Sequence, residues 1–581
     1  MTATRSGVEI ETALDAALAD VPGGIGRRIA ELDAAEEFPA PFTDRLDTFG
    51  LPAYYVPTGW GGAVEDHELL LRLWRTVARR DLSTIVAHAK TYLGAASVWI
   101  AGDARQAATL AARILAGAQV AWALSEPDHG ADLLNGEVTA TAREGGYRLD
   151  GVKWPINNAT RARYLTVLAR TGRAGTGRGQ SLFLVDKAAL TPGTWRTLPK
   201  EPTHGIRGVD ISGIAFQDAA LPATALLGAE GTGVETVLRA LQLTRTLCAA
   251  LSLGAGEHAL RLAAGFAAER IIQRRPLLDR AYPRATLGRC AALLAAAEAT
   301  ALVGSRSIHA LTGEMSVSSA VVKAVTPALT DAMLGELAEL LGARSFLTGV
   351  YAHGAFQKVW RDHQIVSVFD GSTPVNRTAL IQQFPRLARE FAAGTADADG
   401  LATAVSVGDA PGPLDRSALR LVSRRGCSLP QSLPALAGSL AAEAAPDGLA
   451  AHAAALAATT RQVHDLMAKV RPAARPPMAA YELAAAYELC YAGAACLHTW
   501  SAGRHRHHGE PLWENGLWVR AALRALRSRL AATLRLPVPG AEAGDDRIDD
   551  VVAARVAEAA RTGAPVTPFG TALLDAPAGR S

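Results

Sequence analysis

One acid stands alone in the stretch VFDGSTPVNRT, residues 368–378. Asp370 precedes a turn and an apparent helix start, for which Thr373 is the expected N-cap and Pro374 the expected first helical residue. An acid just before a helix is stabilised electrostatically, which suits a helix end and makes a weak base. A bound apolar group covering it would push the other way. A positioned carboxylate can also serve as a general base. Arg245 is the second candidate. Val234, Leu238, Leu241, Cys248 and Ser252 trace one stripe of a predicted helix, and Arg245 falls on it. A guanidinium on a core-facing position must be paired or hydrogen-bonded, either in a structural ion pair or beside a ligand or base. The run HRHH at 505–508 lacks fixed helical spacing and reads as a solvated loop, so no metal site is expected. The five cysteines have neither metal nor redox spacing and read as small core residues in a reducing, cytoplasmic setting.

These residues need elements to hold them. With 581 residues, 49% apolar and 20% charged, the chain is globular and too long for one core. Its net charge of +3 is not gathered into runs, so no nucleic-acid partner is expected. The first twenty residues lack a basic region followed by an apolar one, so no signal peptide is expected. No uninterrupted apolar run reaches about 18 residues, so no membrane span is expected.

Helical periodicity runs through residues 1–118, interrupted by GLPAYYVPTGWGG, a Gly- and Pro-rich structured connection. Residues 119–230 alternate instead. NGEVTATAREGGYRLDGVKW predicts a hairpin turning at 144–146, and YLTVLART, SLFLVDK and ISGIAFQDAAL predict further strands. Helices return over 231–392. Residues 393–410 read as a linker, and the remainder of 393–581 as an extra Ala-rich helical domain. The expected class is α+β, mainly α.

Four strings in this order carry a resemblance. WALSEPDHGAD (122–132), GVKWPINNA (151–159), RDHQIVSVFDGSTPVNR (361–377) and GLPAYYVPTGWGGA (50–63) resemble the corresponding stretches of the acyl-CoA dehydrogenase family, at family-like spacing. Together they cover roughly residues 10–390, and their joint occurrence is far more specific than any one of them. The resemblance implies an FAD enzyme that dehydrogenates an acyl thioester between its α and β carbons. A carboxylate removes the α-proton and flavin N5 takes the β-hydride. It also implies a homodimer or homotetramer, with an electron-transfer flavoprotein as electron acceptor.

Carried over residue by residue, the resemblance makes Asp370 the base and Arg245 its neighbour. Trp122, Leu124 and Ser125 fall at flavin-contacting positions. Pro155 stands where the family has a tryptophan, with Trp154 displaced by one, and Asn157 stands where a threonine meets flavin N5. Arg270 would hold the FAD pyrophosphate from a neighbouring subunit, a task that suits a guanidinium. Gln273 replaces a phenylalanine, Glu339 and Gly342 lie in the stretch near the FAD ribose, and Ser372 matches a phosphate-contacting threonine. Ala131, Phe369 and Gly371 fall on the substrate side, Ala131 replacing a serine that touches CoA. The carrier is CoA or a carrier protein. Two alternatives stay open. One is a flavin oxidase or monooxygenase, decarboxylating in some relatives, working with O₂ in natural-product biosynthesis. The other is a catalytically degraded flavin-binding subunit.

Overall fold

Alternation after Gln119 builds a sheet. The computed structural model describes residues 6–20, 24–173, 175–176, 178–443, 445–446, 448–537 and 547–574. Its strands are β1 (Val120–Ala123), β2 (Thr139–Arg143), β3 (Gly146–Asn157), β4 (Tyr164–Arg170), β5 (Gln180–Asp186), β6 (Trp195–Leu198), β7 (Ile211–Pro222) and β8 (Leu226–Leu227). They form one eight-stranded sheet in the order β6-β7-β3-β2-β4-β5-β8, with β1 parallel to β4. The expected hairpin is β2–β3, with Ala140 opposite Leu149 and Ala142 opposite Tyr147. A period of two turns Ala140, Leu149, Val167, Phe183, Val185, Ile214 and Phe216 into one buried cluster.

By contacts the chain forms two units. One comprises residues 28–65 and 81–244, the other residues 1–27, 66–80 and 245–581. In the sheet unit, helices Ala40–Phe49, Leu82–His88, Lys90–Ala101 and Ala104–Leu115 accompany the strands. The Gly- and Pro-rich connection folds as two short 3₁₀ turns, Leu51–Tyr55 and Thr58–Trp60. Tyr55 fastens the first turn: its hydroxyl lies 2.5 Å from His88 Nδ1, and its carbonyl accepts from Trp99 Nε1 at 3.1 Å.

In the helical unit, Ala281–Ala310 is apolar on nearly every face, and its neighbours include Ala249–Glu269, Met315–Leu341, Met478–Gly503, Leu517–Leu534 and Ile548–Thr562. By length and composition it could cross a membrane, but 94% of its most apolar window is buried inside the protein. No other helix among the described residues meets that criterion. Gly254 lets helix Ala249–Glu269 cross helix His67–Ala78 closely, since a Cβ there would stand 2.4 Å from the Ala78 Cβ.

The last described segment is tied into this unit by arginines. Arg72 donates to Phe569 O at 2.9 Å, Arg75 to Thr567 Oγ1 at 2.9 Å, Arg79 to Thr571 O at 3.0 Å, and Arg80 to Leu574 O. Arg261 donates to Ala559 O at 3.0 Å and Ala564 O at 2.8 Å. Asp15, Glu257 and Glu298 pair with Arg75, Arg79, Arg80 and Arg261, and Glu68 and Glu11 with Arg72. Burial favours the neutral form of Glu257, yet Arg75, Arg79 and Arg261 hold its carboxyl down at about 2.

Three local expectations are corrected. The stripe from Val234 to Ser252 is two helices, Gly233–Leu247 and Ala249–Glu269, meeting at Cys248. Residues 393–410 are not wholly linker: Ala398–Val405 is a helix capped by Asp397, whose side chain accepts from Gly400 N at 2.9 Å. The helix after Asp370 is Thr373–Ile381. Its N-cap is Ser372, without a side-chain cap bond, and Thr373 is the first helical residue. Proline fits either of the first two helical positions, so its presence left the cap undetermined by one residue.

Candidate active site

In the helical unit, Asp370 and Gly371 both adopt positive φ, 53° and 96°. This is costly for a residue with a Cβ and marks a backbone held by its surroundings. Arg245 Nε donates to the Asp370 carbonyl at 2.9 Å, so the guanidinium grips the main chain rather than the carboxylate. It lies flat against Gly371, where an added Cβ would stand 2.8 Å from its Nη2. Burial pushes Arg245 down to about 10, against the fields of Asp370 and Cys248. The Asp370 side chain is half-buried. Among the described residues its one hydrogen-bonding partner is the Cys248 thiol, 3.8 Å from Oδ2.

The loop before Asp370 is anchored at its start by His363. That ring lies 2.9 Å from Ser252 Oγ and 2.7 Å from Asp331 Oδ1. The trio has the residue types of a nucleophilic triad, but Ser252 is wholly buried inside a helix. No substrate reaches its hydroxyl, and the chain of bonds serves to fix the loop. At the other end Asn376 Nδ2 donates to Gly371 O at 2.9 Å and Ser372 O at 3.1 Å. Phe369 is half-buried, 5.5 Å from the ammonium of buried Lys323.

The other expected FAD contacts of this unit lie apart from the loop in sequence. Arg270 follows helix Ala249–Glu269 and is exposed; its main chain bonds Phe266 and Leu277, while its guanidinium has no partner among the described residues. Gln273 and Arg274 form a two-residue turn, both with positive φ (51° and 65°), between the short strands Ile271–Ile272 and Arg275–Pro276. Gln273 is engaged by Arg280 at 2.8 Å, and Glu339 accepts from Tyr282 at 3.3 Å. Gly342 ends helix Met315–Leu341 with φ 59°.

The sheet unit holds a second cluster. Trp122 lies in β1, and Leu124 and Ser125 follow it. Trp154 N donates to Ser125 O at 3.0 Å, tying this segment to β3. Beneath it, buried Lys153 donates to Leu124 O at 3.0 Å and Glu126 Oε1 at 2.7 Å. Glu126 also accepts from the N–H of Glu137 at 2.5 Å and Val138 at 3.2 Å. Burial lowers Lys153 to about 8, with Glu126 opposing. Pro155 is exposed where the β3–β7 register shifts, while Trp154 turns its indole to Glu201 at 3.0 Å. Asn157 Nδ2 donates to Val86 O at 3.0 Å. Ala131 is exposed in the loop after the Ser-Glu-Pro stretch.

Among the described residues, the buried polar atoms without a partner include Trp122 Nε1 and Asn157 Oδ1. Buried polar groups are ordinarily satisfied, so an orphaned donor and acceptor on adjoining segments fit a heteroaromatic ligand edge. The Ser125 hydroxyl is likewise without a partner among the described residues.

Comparison with known proteins gives this geometry its family. Residues 121–219 match the acyl-CoA dehydrogenase middle domain, and residues 231–384 match the acyl-CoA dehydrogenase C-terminal domain. This part of the chain belongs to the acyl-CoA dehydrogenase family. The human short-chain specific acyl-CoA dehydrogenase of mitochondria is 28% identical over 358 residues, 60% of this chain and 84% of that protein. In fold, the chain is similar to a Bacillus anthracis acyl-CoA dehydrogenase solved with FAD (TM-score 0.67, 17% identity), covering 95% of this chain and 94% of that one. It is also similar to the prolyl acyl carrier protein oxidase AnaB (TM-score 0.59, 17% identity), covering 65% of this chain and 98% of that one. The family is one of FAD-dependent oxidoreductases, and the partnerless buried atoms of Trp122 and Asn157 fit that cofactor. The carboxylate loop and the sheet cluster are therefore parts of an oxidoreductase.

Sequence reasoning singled out neither Lys323 nor the Glu126–Lys153 pair. The signal for Lys323 was present: one lysine inside the apolar run AVVKAV.

Proposed function

We propose that the protein oxidises an acyl thioester between its α and β carbons, with Asp370 as base. The observation that carries this is the state of the Asp370 carboxylate. Its main chain is gripped by Arg245, while among the described residues its oxygens accept only from a thiol at 3.8 Å. A carboxylate saturated by hydrogen bonds has no lone pair left for a carbon acid; this one does. Asp370 takes the α-proton and becomes a neutral acid, and the β-hydrogen departs with its electron pair. The chemistry that bound FAD supplies is acceptance of that hydride. Trp122, Ser125 and Asn157 would hold the flavin in the sheet unit. The thioester carrier is CoA or a carrier protein. The electron acceptor is an electron-transfer flavoprotein, and the working form is a homodimer or homotetramer.

A second reading keeps the fold and sends electrons to O₂. It is favoured by the exposed Pro155 and by Asn157, whose amide is already engaged with Val86. Anaerobic mixing with CoA- and carrier-bound acyl groups tests the first reading. Flavin absorbance near 450 nm is expected to bleach with the true substrate (on the order of that wavelength), and Asp370→Asn is expected to slow bleaching at least about 10³-fold. Wild-type bleaching in Asp370→Asn would remove Asp370 from the chemistry. Oxygen uptake matching turnover would select the second reading, and a protein that never takes up FAD would exclude both.

A further inference from the structure

The loop that carries Asp370 is held by a charge with no role in the chemistry above. Lys323 sits midway along Met315–Leu341 and is 0% exposed. Its ammonium donates to Val366 O at 2.6 Å and to Gly371 O at 3.2 Å. No carboxylate pairs with it among the described residues. Burial lowers it from the usual lysine range, while Cys248 and Asp370 act in the opposite sense. A long apolar side chain would fill this space without placing a charge in the core. What only an ammonium supplies is a bridge between two main-chain carbonyls that bracket Asp370, one four residues before it and one immediately after.

The bracketed backbone needs such support. Asp370 and Gly371 sit at φ 53° and 96°, and Asp370 has a Cβ. The Gly371 carbonyl accepts from both Lys323 and Asn376, and the Asp370 carbonyl accepts from Arg245. Three side chains from three helices thus converge on successive peptide units, while the carboxylate itself stays nearly unbonded. We propose that Lys323 is a positioning residue for Asp370, its ammonium clamping the Val366 and Gly371 carbonyls so that the short carboxylate stands where the α-carbon arrives. This rests on reading Asp370 as the base.

The test uses the FAD-loaded enzyme with Lys323→Met and Lys323→Arg, and Asp370→Asn as reference. Two readouts are taken: steady-state kinetics on the thioester that the wild type oxidises fastest, and amide hydrogen exchange over 364–372, which needs no substrate. Lys323→Met is expected to hold the thioester KM within about threefold and to lose about a hundredfold in kcat, the scale of a base misplaced by about 1 Å. Exchange over 364–372 is expected to speed up while helix Ala281–Ala310 is unchanged. Lys323→Arg, which keeps charge and donors, is expected to recover part of the lost kcat. Wild-type kcat in Lys323→Met overturns the proposal, and so does unchanged exchange over 364–372. Where Lys323→Met fails to retain FAD, Lys323→Gln takes its place under the same two criteria. Full activity in Asp370→Asn removes the base reading together with this one. An inactive Asp370→Asn beside a fully active Lys323→Met removes only the role given to Lys323.

Discussion

Asp370, the proposed base, is one methylene shorter than a glutamate would be, about 1.3 Å less reach. The loop meets that shortness with rigidity, because Arg245, Lys323 and Asn376 all bind its carbonyls. Among the described residues only Cys248 hydrogen-bonds to the carboxylate, and a thiol is a weak donor at 3.8 Å. Cys248→Val is therefore expected to leave FAD binding intact and to change kcat by at most about tenfold, the range of one modest hydrogen bond. Steady-state turnover across pH checks this. A loss as large as that of Asp370→Asn would mean that the thiol takes part in the chemistry.

At the scale of elements, helix His67–Ala78 does two jobs. One face packs against helix Ala249–Glu269 at Gly254. Arg75, Arg79 and Arg80 bind the segment 567–574. The most deeply paired of them is Arg75, shared between Glu257, Glu298 and Thr567. Breaking a buried pair from one side leaves charge uncompensated, and here Glu298 loses its paired cation while Glu257 keeps Arg79 and Arg261. Arg75→Met is expected to cost about 3–5 kcal/mol of stability, read as a lower urea midpoint at unchanged slope. A midpoint within error of wild type would mean that the network adds nothing to the fold. The C-terminal region thus reaches back to helices near the start of the chain, and its last described residues are part of the core of the helical unit.

Across the whole molecule, buried histidines set an acid limit. Burial lowers His309, His464 and His498 from 6.5 to about 4. Between about 4 and 6.5 the unfolded chain binds protons that the folded chain refuses, so stability rises with pH across that window and is lost as pH falls through it. Each shift corresponds to roughly 3 kcal/mol. Glu314 works in the opposite direction. Burial pushes it up to about 7, with Ser428 opposing, so its contribution declines as pH rises from 4.5 toward 7. Burial lowers His67 in the same sense as these histidines, and raises Glu11, Asp66 and Glu488 in the sense of Glu314. The histidines are expected to dominate, so the melting temperature is expected to fall as pH is lowered from 6.5 to 4.5. His464→Phe keeps a ring against Phe391, on which His464 stacks at 3.8 Å, and is expected to flatten that slope. An unchanged slope would exclude His464 as a contributor.

What the sequence determined by itself was periodicity and local chemistry. Alternation around Leu149, Val167 and Ile214 specified strands, because a strand's faces are set by a period of two. The Gly-Ser-Thr-Pro run after Asp370 specified a turn into a helix, and the ordered strings from Trp122 to Arg377 specified the family. Only the tertiary structure decided what holds Asp370. Arg245, Lys323 and Asn376 stand 125, 47 and 6 residues from it in sequence, and no local pattern says that their donors meet on one loop. The segment 567–574 carries no pattern that marks it as core, yet its backbone carbonyls accept from guanidinium groups almost 500 residues away. Hydrogen bonds between distant segments depend on where packing brings those segments, and a linear sequence shows the residues without showing the meeting.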